Sequence, residues 1–124
     1  MPFPFFLRRL LTFGRRSEIQ AIDHLRSVGF RIVTSGYRAK GGEVDVIAWE
    51  GDILVFVEVK ARRNPEPPED AVGFNKQRRI VRAAQAYLAK HRLHEVPYRF
   101  DVLAVTELPG ARPEFRLFRD AFNL

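Results

Sequence analysis

The chain of 124 residues reads as one α/β domain, a mixed central β-sheet flanked by helices. Three observations predict it. Apolar residues recur at helical spacing in two segments, 17–29 and 76–92. Runs rich in Val, Ile and Phe lie between and after them, bounded by Gly and Pro as strands are. The order is helix, strand, strand, strand, helix, strand, with a terminal strand or edge. No G-x-G-x-x-G follows a strand and no Walker loop is present, so a doubly wound nucleotide fold is excluded.

Residues 1–13 form an apolar and basic arm before the domain proper, residues 14–124. Arg8 and Arg9 interrupt the arm after a few apolar residues, unlike a secretory signal, which carries its charge first. No stretch approaches the roughly 20 apolar residues of a transmembrane segment. The arm is expected to pack Phe3, Phe5, Phe6 and Leu7 on the domain or on a second copy. The alternative is a basic amphipathic segment lying on a membrane surface.

In the first helix Ile19, Ile22, Leu25 and Val28 keep one apolar face, with Ser17 as N-cap and Gly29 as stop. "FRIVTS" is a strand and "GYRAKGG" a turn-rich connection. Residues 43–49 and 53–60 are strands around "EGD", a hairpin signal. The proline-rich "RNPEPPED", residues 63–70, is a loop bordering any site on these strands. The helix over 76–92 buries Ile80, Ala83, Ala84, Tyr87 and Leu88, with Asn75 as cap. "YRFDVLAVTE" is a strand, "LPGARP" turns, and "EFRLFRDAF" ends the chain as a strand or edge.

Composition narrows the chemistry. The absence of cysteine excludes disulfides, thiolate metal sites and a cysteine nucleophile, and suits a reducing, cytoplasmic location. A net charge of +6 favours an anionic partner, most often nucleic acid.

The informative stretch is "GGEVDVIAWEGDILVFVEVKAR", residues 41–62. Glu43, Asp45, Glu58 and Lys60 occupy strands that otherwise carry buried apolar residues. Alternation puts Glu43 and Asp45 on one face of the first strand, and Phe56, Glu58 and Lys60 on one face of the second. A two-residue loop at Glu50 and Gly51 sets Asp45 opposite Phe56 and Glu43 opposite Glu58, with all the charges on one side. Val44, Val46, Val55, Val57 and Val59 then form one apolar face. Carboxylates meeting across a strand pair repel, and Lys60 offsets one charge. A divalent cation would remove the conflict: Mg²⁺ takes hard oxygen ligands, commonly one or two carboxylates plus water and substrate phosphate. Lys60 points the same way as Glu58 and can act on an attacking water or on transition-state charge. The set suits phosphodiester hydrolysis. The plainer alternative is a solvated Glu58–Lys60 ion pair.

Asp45, followed thirteen positions later by Glu58 in "EVK", resembles the PD-(D/E)xK nuclease motif. "GEVDVIA" followed by "FVEVKAR" resembles the YraN-like family of small bacterial proteins more closely. That family is similar in fold to archaeal Holliday-junction resolvases, so the resemblance implies a restriction-endonuclease-like, resolvase-like core. It also implies a metal-dependent endonuclease, using Mg²⁺ or Mn²⁺, that acts on DNA, branched DNA among its substrates. Asp45 and Glu58 match the metal-binding acids, Lys60 the motif lysine, and Glu18 the extra glutamate that resolvase-like members bring to the metal. Glu43 matches the glutamate of the G-E-x-D string, and Lys76 a basic position opening the second helix. Val44 stands where the wider motif usually has proline. Resolvase-like proteins act as dimers on a two-fold-symmetric substrate, so a homodimer is implied as well.

The second helix carries Lys76, Arg78, Arg79 and Arg82 with no acid, and Arg62 and Arg63 follow Lys60. These are the expected phosphate contacts, without base specificity. His91 and His94 suit a helix C-terminus better than a metal site, and His24 a helix surface. Asp101, within an apolar strand, needs a partner, and Arg99 on the same face is the candidate. Trp49 and Tyr87 are expected in the core. Two other functions stay open: a non-catalytic nucleic-acid-binding module, and a protein-interaction adaptor using the Phe-rich arm.

Overall fold

The computed structural model describes residues 13–63 and 72–123. The arm, apart from Phe13, and nearly all of the proline-rich loop lie outside the described residues. The elements are α1 (Phe13–Ser27), β1 (Arg31–Ala39), β2 (Gly42–Glu50), β3 (Ile53–Arg62), α2 (Phe74–Lys90), β4 (Tyr98–Thr106) and β5 (Glu114–Phe122). This is the expected α/β order, consistent with a resolvase-like core. One five-stranded mixed sheet runs β1-β2-β3-β4-β5. Only β3 and β4, joined through α2, are parallel. No helix among the described residues is long and apolar enough to cross a membrane.

Several boundaries differ from the sequence reading. α1 starts at Phe13, so position 17 lies inside it rather than at its cap. It ends as expected: Gly29 takes φ 104°, and the Phe30 N–H reaches the Leu25 carbonyl at 2.9 Å. β1 absorbs most of "GYRAKGG", because Gly41 at φ 79° makes a tight turn and Ala39 pairs with Gly42. α2 is capped by Gly73, not Asn75, and stops at Lys90, where His91 is the C-cap.

The β2–β3 hairpin turns at Gly51 and Asp52, and Glu50 pairs with Ile53. Gly51 at φ 60° opens the turn, a conformation glycine adopts without strain. The register is therefore two residues from the expected one. An even shift by itself keeps the alternation of the two strands in phase. It moves Asp45 from beside Phe56 to the level of Glu58.

The ladder between β2 and β3 stops at Val46–Val57. Beyond it β2 stays paired with β1, and β3 with β4, so the sheet forks. The fork also turns β2 over. Val46 and Ala48 pack with Val55 and Val57 in the core under α1, around Ala21 and Leu25. Val44 packs instead in the core under α2, with Ile47, Phe56 and Ile80. The single valine face expected from strict alternation is thus broken at Asp45. The half-turn brings Gly42 against α2, where a Cβ would collide with the Arg79 carbonyl oxygen and sit 2.8 Å from the Ala83 nitrogen. Tyr87 is core, as expected, edge-on to Tyr37 and Phe56, and Trp49 packs against the same cluster.

At the hairpin end, polar groups hold the sheet. Asp101 is fully buried. Arg99 grips it with two bonds, at 2.9 and 3.0 Å, as expected, and the Asp120 N–H adds a third at 2.9 Å. Arg99 also pairs with Glu50, which Arg119 holds at 2.9 and 2.6 Å. Asp120, at φ 53°, lies where the β4–β5 register shifts, so Asp101 serves a backbone group that the ladder leaves behind. Arg99→Ala should cost about 3–5 kcal/mol in urea unfolding, because it strands a buried carboxylate. Gly42→Ala should cost about 1–3 kcal/mol by pushing α2 off the sheet. A wild-type midpoint in either variant would contradict the packing described.

Candidate active site

Asp45 sits at the fork. Past Val57, β3 has no β2 partner, and the Val59 N–H would be left without an acceptor. The Asp45 side chain supplies one, with Oδ2 accepting from the Val59 nitrogen at 2.8 Å. That bond fixes Asp45 between the strands and beside Glu58.

Glu58 is only 6% exposed, on the face of β3 that looks toward α2. Burial, the Asp45 charge and a hydrogen bond to the Asp45 carboxyl push its pKa up to about 9, and Lys76 opposes the shift. Lys76 Nζ lies 3.5 Å from Glu58 Oε2 and 3.7 Å from Glu43 Oε1. Glu43 also meets Arg79 at 3.4 Å and Arg38 at 3.7 Å. Glu43 is thus surrounded by cations, whereas among the described residues Lys76 is the one cation paired with Glu58.

Lys60 is exposed, two residues beyond Glu58 on the same strand, and has no ion pair among the described residues. The alternative of a Glu58–Lys60 pair is not what forms: Glu58 pairs with Lys76. Glu18 is 7% exposed on α1, across the sheet from α2. Among the described residues no three Asp, Glu or His side chains gather as a metal-holding group. The donor set at the fork is therefore Asp45 and Glu58, the number of protein carboxylates that Mg²⁺ commonly takes when water and phosphate complete its shell. His91 stacks on Tyr87 at 4.3 Å, and His24 is half-buried against Phe115 rather than on the surface.

Arg78, Arg79 and Arg82 are exposed along α2, which carries no acid. Arg38, Arg79 and Arg82 line a cleft of about 430 Å³ with Gly42 and Glu43. Arg62 is half-buried and Arg63 exposed at the far end of β3.

The profile of Uncharacterised protein family UPF0102 matches residues 17–105. The chain belongs to that family. It is 44% identical over 113 residues to a UPF0102 protein of Geotalea uraniireducens, covering 90% of this chain and 89% of the relative. It is 43% identical over 123 residues to one of Syntrophus aciditrophicus, covering 97% and 95%. A third, of Rhodococcus opacus, is 43% identical over 114 residues, covering 90% and 97%. This is the YraN-like group that the central strings resemble. The UPF0102 span holds both fork carboxylates, Lys60 and all of α2, and ends within β4, before β5.

The ion pairs that Lys76, expected as a phosphate contact, makes with Glu43 and Glu58 are revealed only by the docking of α2. Phe74 was read as preceding the helix, yet it opens α2 as an exposed ring. The aromatic-plus-basic string "FNKQRR" was the available signal.

Glu58 gives a stability prediction with a definite sign. Its folded form favours the proton, while the unfolded chain releases it near pH 4.5. Stability from this group is full below that pH and falls as pH rises through the neutral range. Glu58→Gln can still donate to Asp45 and removes the loss. Without divalent cations it should exceed wild type by about 1–3 kcal/mol near neutral pH, the gap closing toward acid. Urea titrations across pH would refute this if the variant were never the more stable.

Proposed function

We propose that the protein is a metal-dependent endonuclease that hydrolyses nucleic-acid phosphodiesters, with DNA as the favoured substrate. One observation carries the reading: Asp45 and Glu58 are held in contact at the fork with a single ammonium for two acids. Two ionised carboxylates in contact repel, and a divalent cation is the compact charge that reconciles them.

The cation would be Mg²⁺ or Mn²⁺, held by Asp45 and Glu58, and would supply charge on a phosphoryl oxygen and a more acidic water. The protein's own residues do the rest. The Asp45–Val59 bond keeps one carboxylate oriented, leaving its other oxygen for the site. Lys76 neutralises charge at Glu58, and Lys60, exposed beyond it, meets the attacking water or the transition-state charge. Hydrolysis adds water to phosphorus and breaks the bond to one ester oxygen. Arg78, Arg79 and Arg82 on α2, with Arg62 and Arg63, hold flanking phosphates without reading bases. Glu43 orients Lys76 and Arg79. Action on branched DNA, a homodimer matched to a two-fold substrate, and a cytoplasmic location complete the reading.

The contact between Lys76 and Glu58 also favours a second reading, in which Lys76 is the permanent counter-ion and the protein binds nucleic acid without cutting it.

The two separate in one experiment. Labelled duplex, single-stranded, forked and four-way-junction DNA are incubated with Mg²⁺, Mn²⁺ or EDTA. The nuclease reading expects cation-dependent product from wild type and a loss of at least about 100-fold in Asp45→Asn and Glu58→Gln, with DNA binding retained. Asp45→Asn keeps an oxygen for the Val59 N–H, so its fold should survive. Salt-sensitive binding with no product under any condition would select the second reading.

A further inference from the structure

Phe74 is the most exposed large apolar side chain among the described residues, at 71%. It is held firmly for a surface group. The Gln77 N–H bonds the Gly73 carbonyl at 2.9 Å, and the Gln77 side chain bonds the Val72 carbonyl at 3.0 Å. Both bonds pin the backbone that leads into Phe74. The Arg78 guanidinium lies over the ring, 5.8 Å from its centroid. Among the described residues the surface beside it is open, since a Cβ on Gly73 would meet nothing within 4 Å. A solvent-facing aromatic ring therefore stands in the first turn of a helix whose charged side chains are all positive.

We propose that Phe74 is a stacking platform for an unpaired base of a nucleic-acid strand held along the basic surface of α2. The protein then selects single-stranded or branched nucleic acid over continuous duplex. The proposal rests on the nucleic-acid reading of the fork. Inside a duplex both faces of a base are covered by its neighbours, and only an unpaired or extruded base has a face to offer. A phenyl ring has no hydrogen-bonding atom, so the platform tolerates any base. The cations along α2 match the backbone of a single strand that continues past it, and Arg78 adds a cationic plane beside the ring.

The test measures binding of the full chain to a fluorescently labelled single strand, its duplex and a forked duplex, in EDTA. Phe74→Ala and Phe74→Tyr are compared with wild type, and the mass of each is read by light scattering. Phe74→Ala should weaken single-strand and fork binding by about 5- to 100-fold and leave duplex binding unchanged, while Phe74→Tyr keeps wild-type affinity. Equal losses on all three substrates, or no loss on any, would overturn the platform while leaving the fork reading intact. A lower mass for Phe74→Ala with unchanged strand preference would assign the ring to self-association and overturn it too. Failure of wild type to bind any of the three would remove the fork reading itself, and the platform with it.

Discussion

A single hydrogen bond governs the candidate site: the Asp45 carboxylate accepting the Val59 N–H. Splitting a sheet leaves backbone groups without partners, and a half-buried amide cannot go without one. Asp45 answers that need, so β3 can leave β2 after Val57 and continue against β4 alone. The half-turn that β2 makes at the same residue sends Gly42 and Val44 toward α2. Gly42 lets α2 approach backbone to backbone, and that approach carries Lys76 to Glu58. The acid pair, its counter-ion and the seating of the helix all follow from where the ladder breaks.

The charges are sorted by depth. Glu58 is buried, Asp45 half-buried, and the guanidinium groups of Arg78, Arg79 and Arg82 face solvent. A phosphate approaching α2 meets positive charge first and the acids last. A wholly acidic pocket would repel it, and a wholly basic one would have no place for a cation. Lys76 lies at the boundary, 36% exposed, and contacts both the inner acid and the outer Glu43.

Much of this was legible beforehand because it depends on parity and local chemistry. Alternation along "FVEVKAR" put Glu58 on the face opposite Val55, Val57 and Val59, and an even register error brought Asp45 to its level without changing that. Gly29 as a helix stop and Arg99 as the partner of Asp101 are short-range statements, and both hold. What escaped depends on tertiary contact. The single valine face assumed that β2 alternates throughout, which a fork forbids. The role of Lys76 depends on how closely α2 docks, which is set by the missing Cβ of Gly42 rather than by any property of lysine. Phe74 was missed because the helix was started two residues late, at Lys76 with Asn75 as its cap. The exposure of an aromatic ring cannot be read from its type.

The two ends of the sheet treat buried carboxylates in opposite ways. At the hairpin end Asp101 receives two bonds from Arg99 and one from a backbone amide, and Glu50 is gripped by two guanidinium groups that hold its pKa down to about 2. At the fork, Glu58 is pushed the other way, toward keeping its proton, by its burial first and then by the Asp45 beside it. Burying an acid beside another acid destabilises the domain near neutral pH, and arginines elsewhere in this chain show how such an acid can be satisfied. Natural folds tolerate such unrelieved sites where a ligand is to complete them. The contrast within one sheet is therefore the strongest physical support for the proposed uptake of a cation and a phosphate at the fork.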